Sequence, residues 1–181
     1  MTYKTILLDF DDTIVDFYDA EEKAFYNMAK HFNHNPTKDD FYHFREVNQS
    51  HWEAFQENKL TKEEVLTQRF VNYFKDYQIE VDGKQADHIF RDELAKAKPS
   101  FFDDTLETID YLRENHNIYI VTNGVTETQQ RRIAQTTFNE TLNGIYISEQ
   151  TGFQKPMPEF FDYIFKEIGE QHRESAIIVG D

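Results

Sequence analysis

Four short apolar runs rich in β-branched residues punctuate the chain: residues 4–10 (KTILLDF), 117–122 (NIYIVT), 144–148 (GIYIS) and 175–180 (SAIIVG). Each has strand length and composition. The last, Ala176 to Val179, reads as a strand buried on both faces. Between the later runs, residues 103–116, 126–137 and 158–169 carry helical periodicity. Strands alternating with helices predict a Rossmann-like α/β fold, a parallel sheet with helices on both faces.

Residues 16–98 have a different texture. Apolar positions recur at helical spacing over residues 19–32, 37–57, 61–77 and 83–97. Thr37 and Thr61 are suitable N-caps, and "TKEE" from Thr61 has capping-box spacing. More than half of the chain's aromatic residues lie here, enough for a separate small core. The pattern predicts a helical unit (16–98) inserted into an α/β core made of residues 1–15 and 99–181. "AKPSFFDD", around Pro99, is the return crossing.

Polar residues of chemical interest fall at the predicted strand ends. In "DFDDT", Asp9 and Asp11 are two apart and share one side of the strand, with Phe10 opposite. Neighbouring carboxylates repel unless a cation lies between them or one is protonated. Mg²⁺ suits such a pair because it takes carboxylate oxygens and keeps sites for a phosphate. One carboxylate as nucleophile and the other as proton donor is an equally consistent division of labour. Taken alone, the motif also fits a solvated Asp-rich loop. Thr122, in "VTNG", brings a hydroxyl next to the helix start near Thr126, where phosphate oxygens bind. Lys155, before two prolines in "QKPMP", can neutralise a phosphoryl group, and Asp181 can complete a metal site. Asp12 reads as solvated or helix-capping.

Composition narrows the partners. A net charge of −15 argues against nucleic acid polymers and anionic membranes, which need basic patches. It leaves room for a small phosphorylated substrate, since a divalent cation reverses the sign of one pocket. The absence of cysteine removes thiolate catalysis and disulfides and agrees with a reducing cytoplasm. No apolar run approaches the roughly 20 residues of a membrane span, and "MTYKTILLDF" lacks signal-peptide features. His31 and His34 lie three apart with no third metal ligand nearby in sequence.

The ordered set Asp9-Phe10-Asp11-Asp12-Thr13, Thr122-Asn123-Gly124, Lys155-Pro156 and Gly180-Asp181 resembles the four motifs of the haloacid dehalogenase (HAD) superfamily of aspartate-nucleophile phosphatases. The helical insertion lies where that superfamily carries its cap. "EVNQSHWEAFQENKLT", "VTNGVTETQQRRI" and "ISEQTGFQKP" further resemble the bacterial pyrimidine 5′-nucleotidase branch. The resemblance implies that Asp9 attacks phosphorus and that Asp11 acts as general acid and base. It implies Mg²⁺ held by the carboxylates of Asp9 and Asp181 and the Asp11 carbonyl, and phosphoryl oxygens held by Thr122, Asn123 and Lys155. The acid at position 11 distinguishes a phosphatase from a dehalogenase, which has no alcohol to protonate. A nucleoside monophosphate is the implied substrate, with Phe17, Tyr18 and Trp52 as candidate base-stackers in or near the cap. A sugar-phosphate phosphatase, a phosphomutase and an inactive or binding-only fragment remain open. In the family a second acidic residue and further core elements follow Gly-Asp, so the chain is expected to be truncated after the fourth motif.

Overall fold

The computed structural model describes residues 3–180. Strands β1 (Thr5–Leu8), β4 (Asn117–Thr122), β5 (Gly144–Ile147) and β6 (Ala176–Val179) form one parallel sheet in the order β5-β4-β1-β6. Helices α5 (Thr105–Arg113), α6 (Thr126–Ile133), α7 (Phe138–Thr141), α8 (Ser148–Thr151) and α9 (Pro158–Ile168) occupy the connections. A two-stranded antiparallel ribbon, β2 (Val15–Asp16) with β3 (Ser100–Phe101), completes the strands.

The two-residue periodicity of the strands builds two cores. Ile6, Leu8, Ile118 and Ile120 face one side and join Ile109 of α5, Ile133 of α6 and Phe138 of α7. Leu7, Tyr119 and Val121 face the other and join Phe160, Ile164 and Phe165 of α9. Each fully buried side chain of this size stabilises the fold by about 1.5–3 kcal/mol relative to exposure. The sheet is therefore the middle layer of an α/β/α sandwich, as the strand–helix alternation predicts.

One expectation is overturned. β6 is not buried on both faces: Ile178 and Val179 are exposed. The strand order explains this, since β6 pairs only with β1 and forms the sheet edge among the described residues.

The chain divides into two compact units, Met1–Asp19 with Ala97–Asp181, and Ala20–Lys96. The division falls a few residues inside the boundaries read from sequence. Its cause is the ribbon, which pairs Val15 with Phe101 and Asp16 with Ser100 and so keeps both crossings with the sheet. Neither strand of the ribbon is long enough to read as one from sequence. The second unit is built from α1 (Tyr18–His31), apart from its first two residues, with α2 (Lys38–Gln56), α3 (Lys62–Asp76) and α4 (Gly83–Lys96). Thr37 and Thr61 each close a reciprocal capping box, with Asp40 and Glu64 respectively. Its core is aromatic: Phe25, Phe41, Phe44, Phe70, Tyr73, Phe74 and Phe90 are buried, with Phe25 stacked on Phe44 at 4.8 Å.

Candidate active site

β1 ends at Leu8, but its pairing continues for one residue, because the Asp9 N–H donates to the Val179 carbonyl at 2.9 Å. Leu8 is level with Ile120 of β4 and Val179 of β6. Asp9 is thus one step beyond the strand, at the carboxyl-terminal edge of the sheet where α/β folds bind ligands. The chain then turns sharply: the Ile14 and Val15 N–H groups both donate to the Phe10 carbonyl. Asp12 takes a left-handed conformation (φ 54°), and its exposed carboxylate accepts the Phe17 N–H at 3.1 Å. Asp12 is a turn residue. Phe10, fully buried, anchors the turn in the core.

Asp9 is mostly buried and doubly engaged. Its Oδ1 accepts the Phe10 N–H at 2.7 Å and its Oδ2 pairs with the Lys155 ammonium. Burial pushes the Asp9 carboxyl above its ordinary value; Lys155 and the Phe10 N–H pull it down and Asp11 adds a smaller push up. The side chain of Asn123 holds Lys155 in place. Its Nδ2 donates to the Lys155 carbonyl at 2.9 Å and its Oδ1 accepts the Lys155 N–H at 2.8 Å. Asn123 therefore reaches Asp9 through Lys155, by fixing the backbone that carries the ammonium. Thr122 is buried, and its Oγ1 accepts the Gly124 N–H at 3.2 Å. The Thr126 N–H, at the start of α6, is taken by Glu149 at 2.7 Å.

The carboxylate of Asp11 is held from α6. Arg132 meets its Oδ1 at 2.6 Å, and the Gln129 Nε2 donates to its Oδ2 at 2.9 Å. The same Gln129 Nε2 donates to Thr122 Oγ1 at 2.9 Å. In sequence both lie in "VTNGVTETQQRRI" as ordinary polar helix positions. Their spacing, three apart on a helix that opens beside Thr122, was the available signal.

A family model described as haloacid dehalogenase-like hydrolase matches residues 3–181, nearly the whole chain. The chain belongs to the haloacid dehalogenase-like hydrolases. Within that family it is 37% identical over 179 residues to YfnB of Bacillus subtilis, covering 99% of this chain and 76% of that protein. It is 28% identical over 183 residues to the pyrimidine 5′-nucleotidase PynA of Streptococcus pneumoniae, covering all of this chain and 76% of that one. To the pyrimidine 5′-nucleotidase YjjG of Escherichia coli it is 25% identical, covering 100% and 78%. The crystal structure of YfnB bound to magnesium superposes with a TM-score of 0.93, covering all of this chain and 81% of that chain.

The donors present suit a hard divalent cation in kind. Asp9 offers a carboxylate whose charge burial disfavours, which a cation would relieve, and Asp11 offers a backbone carbonyl. Gly180 lies level with Asp9, and a Cβ on it would sit 2.8 Å from the Asp9 Cβ. The glycine is needed for that approach. Asp181, the remaining expected ligand, lies outside the described residues. Of the expected base-stackers, Phe17 and Tyr18 are half-buried in the first unit. The Phe17 ring packs 5.0 Å from the Arg132 guanidinium. Trp52 belongs to the helical unit, where Lys62 and Arg69 approach its ring at 4.8 and 5.7 Å and Phe55 meets it edge-on. No helix among the described residues is long and apolar enough to cross a membrane.

Proposed function

We propose that this hydrolase is a Mg²⁺-dependent phosphomonoesterase acting through an aspartyl-phosphate, with a pyrimidine nucleoside 5′-monophosphate as substrate. The observation that carries the reading is a buried Asp9 carboxylate held against the Lys155 ammonium, with Asp11 close enough to perturb it. The identities to PynA and YjjG support the nucleotide, and the YfnB crystal structure supports the metal.

In this reading Lys155 exchanges the Asp9 carboxylate for the incoming phosphoryl oxygens, and Thr122 donates its hydroxyl to another. Asp9 Oδ attacks phosphorus in line, the P–O ester bond breaks, and the leaving ester oxygen takes a proton from Asp11. Water then attacks the phosphorus of the aspartyl-phosphate and gives its proton to Asp11. Phosphate leaves and the Asp9 carboxylate is restored. Asp9, the Asp11 carbonyl and Asp181 would hold Mg²⁺, which when bound offsets negative charge on the phosphoryl group. Positioning and charge neutralisation supply most of the acceleration.

The test is phosphate release from a panel of nucleoside monophosphates and sugar phosphates, with Mg²⁺ or with chelator, using the protein at the full length of its coding sequence. Pyrimidine nucleotides should be hydrolysed with Mg²⁺ only, and Asp9→Asn should abolish release. Undiminished turnover in that variant would falsify the nucleophile assignment. Preference for sugar phosphates would overturn the substrate.

A further inference from the structure

Helix α6 carries two buried polar residues that the phosphatase chemistry above does not use. Gln129 and Arg132 are each 2% exposed, and one face of the helix presents both to the end of β1. Arg132 Nη1 lies 2.6 Å from Asp11 Oδ1 as an ion pair and donates to Gln129 Oε1 at 2.9 Å. With its oxygen so engaged, the Gln129 amide can turn only its NH₂ toward Asp11 and Thr122, and it reaches both at 2.9 Å. The guanidinium itself lies 5.1 Å from the Phe10 ring and 5.0 Å from the Phe17 ring, so its own freedom is small.

Gly124 shows that room is kept for this arrangement. A Cβ there would come within 2.6 Å of the Gln129 side chain, so any larger residue would displace the amide. Thr122 Oγ1 accepts from both Gln129 and Gly124, which turns its hydroxyl proton outward to donate elsewhere.

We propose that Gln129 and Arg132 are positioning residues: they fix the Asp11 carboxyl for proton transfer at the ester oxygen and orient the Thr122 hydroxyl toward the phosphoryl group. The proposal rests on the phosphomonoesterase reading. A clamp of this kind acts on the step in which the leaving group needs a proton, and matters little where the leaving group departs unaided.

The experiment compares kcat/KM for a pyrimidine nucleoside monophosphate, whose alkoxide must be protonated, with that for p-nitrophenyl phosphate, whose phenolate leaves without a proton. The ratio of the two is independent of the fraction of enzyme folded. Arg132→Met and Gln129→Met should lower that ratio by about 10- to 100-fold, a part of the usual acid–base contribution. Arg132→Lys, which keeps a cation beside Asp11, should recover part of it. Equal losses on both esters would show that the pair does not act on proton transfer through Asp11 and overturn the proposal, as would a ratio that rises. Should Arg132→Met fail to fold, the nearly isosteric Gln129→Met decides the matter alone. A wild-type protein that releases phosphate from neither ester overturns the phosphomonoesterase reading and this proposal with it, a result distinct from equal losses in the variants.

Discussion

Asp9 combines burial with a charged partner, and that combination gives single atoms around it disproportionate weight. Gly180 shows it best. Its missing Cβ is what lets the end of β6 lie against Asp9, and the Asp9 Cβ, bonded directly to the backbone, cannot move aside as the far end of a flexible side chain would. Gly180→Ala should therefore shift Asp9 by some tenths of an ångström and leave most of the remote core untouched. Small misplacements of a reacting group can cost on the order of 10²-fold. Phosphate release should fall by at least about tenfold while the melting temperature changes little. A large loss of stability with proportionate loss of activity would place the effect in the sheet instead. Asn123 illustrates the same scale from another side: its amide is spent on the backbone of Lys155, so its contribution is to hold an ammonium it does not itself replace.

Between elements, the helical unit is tied by a chain of polar contacts whose middle members, Glu21, Asn48, Arg69 and Asp87, are buried. Glu21 of α1 accepts from Arg45 at 2.9 Å and from Asn48 at 2.8 Å, both on α2. Asn48 accepts from Arg69 of α3 at 2.8 Å, and Arg69 donates to Asp87 of α4 at 2.9 Å. Arg91 closes the chain on Asp87 at 2.7 Å. Burial pulls the Arg69 guanidinium below its ordinary range, and Asp87 and Glu21 oppose that. Removing one member leaves an uncompensated buried charge. Asp87→Ala should destabilise the protein by about 3–5 kcal/mol, read from the urea midpoint. Lys84→Ala, which breaks an exposed pair with Glu63, should leave the midpoint unchanged. Equal effects would mean that the buried cluster carries no special weight.

Across the whole molecule the charge is strongly negative, and acid stability becomes the telling property. His34 is held below its ordinary 6.5 by burial, with Asp40 pulling the other way. Below pH 6.5 the unfolded chain therefore binds a proton that the native state resists, and stability falls as pH drops. Asp40, held down first by the Tyr77 hydroxyl, works in the same direction at lower pH: its contribution is present above 3.8 and lost as pH falls through its native value. Asp9 works oppositely. Its raised carboxyl contributes fully below 3.8, and that contribution is lost as pH rises through its native value. Melting temperatures of His34→Phe, which keeps a ring against Tyr77 at the cost of the bond to Tyr73, should decline less between pH 7 and 5 than those of wild type. Parallel declines would remove His34 from the account.

At this same scale, local pattern determined a great deal. Strand and helix periods, capping boxes and turn chemistry depend on neighbours within a few residues, so the parallel sheet, the four inserted helices and the motif residues Asp9, Asp11, Thr122 and Lys155 were legible in one dimension. Pairings between distant segments were not. The β2–β3 ribbon is two residues long on each side and exists only because residues 15–16 and 100–101 meet. The exposure of β6 follows from its place in the strand order, which composition does not encode. The grip of Gln129 and Arg132 on Asp11 joins residues more than a hundred positions apart, and in sequence they read as ordinary polar helix positions. Sequence sets which chemistry is present. The tertiary fold decides which groups are near enough to hold one another, because hydrogen bonds and ion pairs act only over a few ångströms.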